Sequence, residues 1–229
     1  AADNTEVWVS AEIGGTVAVI ERDPSYQTAS SALSGSSIRE QFSDPANIKA
    51  SQFGMSFIEN FHELVQVDGE APDIGFRSSG YLFLVADDGV EQLTNAYETQ
   101  VANGADVALL SPDELATTFP YLNVDGLAAG RLGGDREGTF DAWALLQGFK
   151  RRATRNGAVY LHDQVVGITT TGDRATSVQL LSGDTIECAN VINSAGPRAA
   201  EVAAMVDLPI PVEPRLRSLF VFDCRTPIT

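Results

Sequence analysis

At 229 residues, 44% hydrophobic and 20% charged, the sequence has the balance of a folded soluble protein, with chain enough for one large core or two smaller ones. Thirty-one acidic against 15 basic residues give a formal net charge of -16. The acids are scattered rather than gathered in a tail, which excludes nucleic acid and anionic membranes as partners and leaves a solvated, solubilising surface as the expected use of the charge.

Cys188 and Cys224 lie far apart in apolar, strand-like runs, so they form neither a redox pair nor half of a zinc site. His62 and His162 are the only histidines, too few for a His-rich metal centre, and without a GxSxG stretch a serine hydrolase is not expected. No apolar run reaches the length that crosses a bilayer and no basic-then-apolar leader opens the chain, so no membrane insertion is expected. The chain reads as soluble, with cytoplasmic and mitochondrial-type compartments both open. Because it begins at Ala1 rather than Met, it is expected to lack its true N-terminus.

In chain order, NTEVWVSAEIGG reads as the end of a helix stopped at Gly14 and Gly15. TVAVI (16–20) follows as a short buried parallel strand, halted by Glu21, Arg22, Asp23 and Pro24. A helix followed by a buried strand is the second half of a βαβ unit whose first strand is not in the chain. YQTASSALSGSSIREQFS has no apolar period and reads as a loop. Asp44 and Pro45 open a long helix to about Val67, with Ile48, Phe53, Phe57, Ile58, Phe61 and Leu64 at helical spacing.

SSGYLFLVAD is expected as a strand, EQLTNAYETQVANGA as a helix closed by Gly104, and DVALL as a strand. Ser111, Pro112 and Glu114 cap a helix that stops near Phe119 and Pro120. GLAAGRLGGDREGTFD is a Gly-rich connection to a helix from about Ala142 to Asn156. From Ala158 on, AVYLHD, VVGITTTGD, ATSVQLLSG and DTIECA suggest an antiparallel meander. NVINSAGP returns as a buried strand and tight turn, PRAAEVAAMV as a helix and LRSLFVFD as a strand.

Three places carry chemistry. Glu21, at the tip of the TVAVI strand, stands where a dinucleotide-binding unit places an acid for ribose hydroxyls. ASSALSGSSIRE offers small side chains, hydroxyls and amides to a phosphate or flat ring. Asn193-Ser194-Ala195-Gly196-Pro197 is a small-residue turn at a strand end, where open α/β sheets bind ligands. HDQVVGI can add a strand edge at which the backbone of Val165 or Val166 reads an adenine. Each of these also has a plain structural reading, as a strand end, a flexible loop or an ordinary turn.

The run VIERDPSYQTASSALSGSSIREQFSDPANIKASQFGMSFIENF resembles the second strand, flavin-contacting loop and following helix of the FAD-dependent D-amino-acid oxidase superfamily, nearest the branch of sarcosine oxidase and dimethylglycine dehydrogenase. GYLFLVAD, GTFDAWALLQGFKRRATRNGAVYLHDQVVGI and NSAGPRAAEVA extend the resemblance over nearly the whole chain. It implies an α/β fold: a Rossmann-like FAD-binding domain lacking its first βα element (residues 1–75 and 140–205) and a mixed-sheet α+β substrate domain (76–139 and 206–229). It also implies that Glu21 and Arg22 meet the ribose and adenine, and that Ser30, Ser31, Ser34, Ser36 and Ser37 line the pyrophosphate and flavin loop. Val166 would lie at the adenine strand and Ala195 and Gly196 at the small turn beside the cofactor. Arg39, just after the loop, is open to either a charge near flavin or substrate carboxylate, or a structural ion pair.

The family's opening GxGxxG strand and its C-terminal portion are not found, so this piece alone is expected to hold FAD weakly. The implied activity is oxidation of a C–N bond in an amine or amino acid by hydride transfer to flavin, with an electron-transfer protein as a partner where oxygen is not the acceptor. Two alternatives stay open: an FAD-binding assembly factor or scaffold for a respiratory complex, and a nicotinamide-dependent Rossmann enzyme.

Overall fold

The computed structural model describes residues 15–221, 223 and 225. Its strands are β1 (Ala18–Glu21), β2 (Ser37–Ile38), β3 (Arg77–Ser78), β4 (Leu82–Val85), β5 (Val107–Leu110), β6 (Ala129–Gly133), β7 (Gly138–Thr139), β8 (Val159–His162), β9 (Val165–Thr171), β10 (Arg174–Leu180) and β11 (Thr185–Glu187). Its helices are α1 (Pro45–Glu59), α2 (Phe61–Val65), α3 (Val90–Ala102), α4 (Pro112–Thr118), α5 (Ala142–Arg155) and α6 (Ala199–Ala204). The chain divides into two compact units: the described part of Ala1–Ser34 with Val67–Gly69 and Leu146–Leu219, and Gly35–Gln66 with Glu70–Leu145 and the residues from Phe220. The fold class expected from the sequence, α/β with mixed sheets, is the one observed.

In the first unit β1 pairs in parallel with β8, in register from Ala18 opposite Val159 to Glu21 opposite His162. Parallel neighbours need a long crossover rather than a hairpin, and the whole of the intervening chain serves as one. The sequence pattern placed residues 158–163 in the meander; the structure gives them to β1 instead. The meander is β9, β10 and β11, antiparallel with β10 in the middle. Gly172 and Gly183, both at positive φ, make its two turns. Ile20, Val178 and Leu180 form the buried cluster here, with Leu161, Val165, Ile168, Ile186, Cys188 and Val191 packed against it. Burial pushes the Cys188 thiol above its ordinary pKa, as befits an apolar filler.

The second unit carries two antiparallel three-stranded sheets, β4-β6-β5 and β2-β7-β3. The helices form where the capping chemistry predicts. Asp44 accepts the Ala46 amide at 2.7 Å ahead of Pro45, and Ser111 and Glu114 complete a reciprocal capping box on α4. Ile48, Met55 and Ile58 of α1, Leu93 of α3 and Leu115 of α4 are buried.

Four expectations are corrected. The long helix from Asp44 is two, because Asn60 leaves the helical conformation and turns its side-chain amide onto the Ser56 carbonyl at 2.8 Å. The glycine-rich connection at 126–141 contains β6, the middle strand of its sheet, and β7. The stretch 190–195 and the part 216–221 of the expected strand LRSLFVFD are extended without a ladder among the described residues, since a strand is defined by a partner's hydrogen bonds. In the latter run Leu216 is 90% and Phe220 84% exposed. The helix expected from Asn4 to its stop at Gly14 and Gly15 lies, but for Gly15, outside the described residues, as does Cys224.

Candidate functional site

In the first unit β1 delivers Glu21 to its C-terminal end. The residue is only 2% exposed, and its Oε1 accepts the Asp23 amide at 2.8 Å. The Arg22 carbonyl meets His162 Nε2 at 3.1 Å, across the β1–β8 pair. Asp23 gathers the Ser25 hydroxyl and amide and the Thr28 hydroxyl, and these bonds, Ser25 first, hold its carboxyl below the usual range.

The loop then turns through Tyr26, fully buried at a positive φ of 52°. Lys150 Nζ lies 5.4 Å from the Tyr26 ring and 5.0 Å from that of Tyr160, a cation–π clasp that ties the loop to α5 and β8. Ala29 is buried, whereas Ser30, Ser31 and Ser34 are exposed, and the Ser34 hydroxyl donates to the Ser31 carbonyl at 2.9 Å. Val166 stands exposed on β9, the edge strand of the meander.

Ala195 is fully buried and Gly196 has φ 53°. Asn193 braces the turn from within, accepting the Ala195 amide at 3.2 Å and donating to the Ala199 carbonyl at 2.8 Å. Ile20, beside Glu21, and Val191, which leads into this turn, belong to one apolar cluster. The strand carrying the acid and the stretch carrying the small turn therefore share a core.

Ser36 and Ser37 fall in the second unit. The Ser36 carbonyl accepts the Phe140 amide at 2.9 Å, and Ser37, on β2, exchanges a hydroxyl hydrogen bond with Tyr81. The serine-rich loop that reads as one feature in the sequence is thus divided between the units.

Arg39 is the feature the sequence pattern left open. Its guanidinium carbon lies 4.7 Å from the Phe42 ring centroid, 5.5 Å from Tyr81 and 5.8 Å from Phe83. Among the described residues no carboxylate pairs with it, and its buried Nε has no hydrogen-bond partner. An ion pair is therefore not what holds it; three aromatic faces are.

Behind this cage runs a buried polar network that the sequence did not announce. Arg131, in the middle of β6 and 5% exposed, donates from Nε to Gln41 Oε1 at 2.8 Å and from Nη1 to the Leu93 carbonyl at 3.0 Å. Gln41 in turn donates from Nε2 to Glu137 Oε2 and to the Tyr81 carbonyl, both at 2.8 Å. Glu137 Oε1 accepts the Glu40 amide at 2.7 Å. Glu40 and Glu59 pair with Arg136 at 3.7 and 3.3 Å. The one available signal was an arginine and a glutamate within a glycine-rich stretch, an odd place for charge in a plain connector.

A family model described as FAD dependent oxidoreductase matches residues 8–228. The chain belongs to that family. The FAD-dependent oxidoreductase domain-containing protein 1 of Xenopus laevis is 37% identical over 91% of the chain and 48% of its own length, and that of Bos taurus 32% identical over 91% and 49%. The chain of this FAD-dependent oxidoreductase family member thus spans about half the length of these relatives. Among solved structures, the L-proline dehydrogenase from P. horikoshii superposes with a TM-score of 0.71 and 25% identity, over 85% of this chain and 50% of that one. The cofactor of the family is FAD. Among the described residues no helix is long and apolar enough to cross a membrane, and no group of three or more His, Cys, Asp or Glu is placed to hold a metal ion.

The electrostatics of the network in this flavoprotein give a testable pH dependence. Burial pushes the Glu137 carboxyl above the ordinary glutamate range, opposed by the bonds from Gln41 and the Glu40 amide and reinforced by the Glu40 charge. The folded state then keeps this proton to higher pH than the unfolded chain does. Its contribution to stability is greatest below the unfolded value and falls as pH rises through the raised folded one. Urea melts of the protein and of Glu137→Gln between pH 4 and 8 should show the unaltered protein losing stability relative to the variant as pH rises; a difference independent of pH would refute the shift.

Proposed function

We propose that the protein containing this chain is an FAD-dependent oxidoreductase that oxidises the C–N bond of a carboxylate-bearing amine or amino acid, such as sarcosine, dimethylglycine or proline, and that it lies near the sarcosine oxidase and dimethylglycine dehydrogenase branch. Arg39 carries the reading. A cation caged by Phe42, Tyr81 and Phe83, with no carboxylate of the described residues on it, has unspent donors suited to a ligand's carboxylate. The name of the L-proline dehydrogenase relative, whose substrate is such an amino acid, supports it.

The residues of the first unit fit FAD chemically. Glu21 offers a carboxylate to the ribose hydroxyls at a strand tip, with Arg22 beside the adenine. The hydroxyls and amides of Ser30, Ser31 and Ser34 suit the pyrophosphate, and the hydroxyls of Ser36 and Ser37, which belong to the second unit, suit a polar edge of the flavin. Val166 presents an edge backbone to adenine, and the Ala195–Gly196 turn lets a cofactor come close to the main chain. When bound, FAD supplies the hydride acceptor for the carbon beside the amine nitrogen. Arg39 orients that carbon by its carboxylate, and an electron-transfer protein is a candidate partner for reoxidation.

The test is dye-linked turnover of sarcosine, dimethylglycine and proline by the FAD-loaded full-length protein. Arg39→Ala should raise KM about 10- to 100-fold, the loss of a charge-assisted contact, and Arg39→Lys less. An unchanged KM removes the carboxylate assignment, and no turnover of any of the three favours the assembly-factor reading.

A further inference from the structure

Resting on the carboxylate reading of Arg39, the geometry points to Glu137 as the positioning residue that sets the Arg39 cage. The cage has two halves, and Glu137 grips both. Its Oε1 accepts the amide of Glu40, the residue next to Arg39, and its Oε2 accepts Gln41, one residue further along. Its main-chain carbonyl accepts the amides of Ser79 and Gly80, each at 3.0 Å, immediately before Tyr81. Gln41 closes the loop by reaching the Tyr81 carbonyl at 2.8 Å. Residues 39–42, with Arg39 and Phe42, are thereby fastened to the Glu137 carboxylate, and residues 79–83, with Tyr81 and Phe83, to its main-chain carbonyl and, through Gln41, to the same carboxylate.

The seat is built for that carboxylate. A Cβ on Gly133 would overlap Glu137 Oε2 and come within 2.7 Å of Gln41 Nε2. Gly80, at φ +64°, leaves 2.8 Å from its Cβ position to the Gly133 carbonyl, so it too must be glycine. Donor polarity is fixed as well. Arg131 Nε claims Gln41 Oε1, so Gln41 can present only its NH2 to Glu137, which must answer with an acceptor. In Glu137→Gln one arm of the amide necessarily sets donor against donor, at Gln41 or at the Glu40 amide.

Benzoate and its neutral isostere benzamide, titrated against the FAD-loaded full-length protein and followed by flavin absorbance, separate positioning from general damage. Simple electrostatics predicts the opposite sign, because removing a nearby negative charge by itself strengthens anion binding. Glu137→Gln should weaken benzoate about three- to tenfold, the worth of one hydrogen bond, and leave benzamide unchanged. Gln41→Leu, which cuts the same tie from the other side, should do likewise and serves if Glu137→Gln folds poorly. Equal loss of both probes, no loss, or tighter benzoate overturns the inference while leaving the carboxylate reading intact, provided Arg39→Ala selectively weakens benzoate. If Arg39→Ala spares benzoate, or the unaltered protein does not prefer it over benzamide, both fall.

Discussion

Replacing Arg131 by methionine is expected to cost about 3 to 5 kcal/mol of stability, the usual penalty for removing one member of a buried charged network. The volume is nearly kept, so the loss is polar. Gln41 Oε1 and the Leu93 carbonyl lose their donors, and the guanidinium that lies 5.3 Å from the Phe83 ring disappears. Burial already holds the Arg131 pKa below its ordinary value, with the Glu137 charge acting to restore it, so the buried guanidinium leans on that carboxylate. A lowered urea midpoint with an unchanged slope checks this; a midpoint within error of the unaltered protein would show that the network contributes little.

Glu21→Ala is expected to lower FAD retention of the full-length protein by about a hundredfold or more, if its carboxylate holds two ribose hydroxyls through charge-assisted bonds of about 1.5 to 3 kcal/mol each. Flavin content after extensive dialysis reads it directly, and full occupancy in the variant would remove the ribose assignment. Because Glu21 also accepts the Asp23 amide, thermal melts of the apo forms should be compared alongside, so that a loosened turn is told apart from a lost ligand contact.

The elements whose local chemistry agrees with their tertiary role were legible from residues alone. Ser111, Pro112 and Glu114 announce α4 because the capping box is a local bond set, and Ala142–Arg155 declares itself by its apolar stripe. β1 could be read because Val19 and Ile20 are β-branched and buried, and Glu21 stops them. β6 could not. AGRLG has two glycines and a charge, and it is a strand only because β4 and β5 flank it, information that no window of five residues holds. The same logic explains the 158–163 run, whose alternation fits an antiparallel or a parallel partner equally well until β1 claims it.

At the site, the sequence pointed to Glu21, the serine loop and the small-residue turn because those are chain-local patterns. It left Arg39 undecided, since the rings that surround it come from Phe42, near in sequence, and from Tyr81 and Phe83, 42 and 44 positions away. Glu137 lies 97 positions from the amide it accepts. Long-range hydrogen bonding of this sort has no periodic signature.

The makeup of β6 bears on protein engineering. A Cβ at Gly130 would stand 2.8 Å from Leu115 Cδ2, one at Gly133 has no room at all, and Arg131 between them is tied to Gln41 and the Leu93 carbonyl. Redesign guided by strand propensity would pick these as the obvious positions to improve, swapping in valine or isoleucine to make a better strand. They are the ones to freeze, and stabilising substitutions are better sought at exposed apolar sites such as Phe53 and Val101.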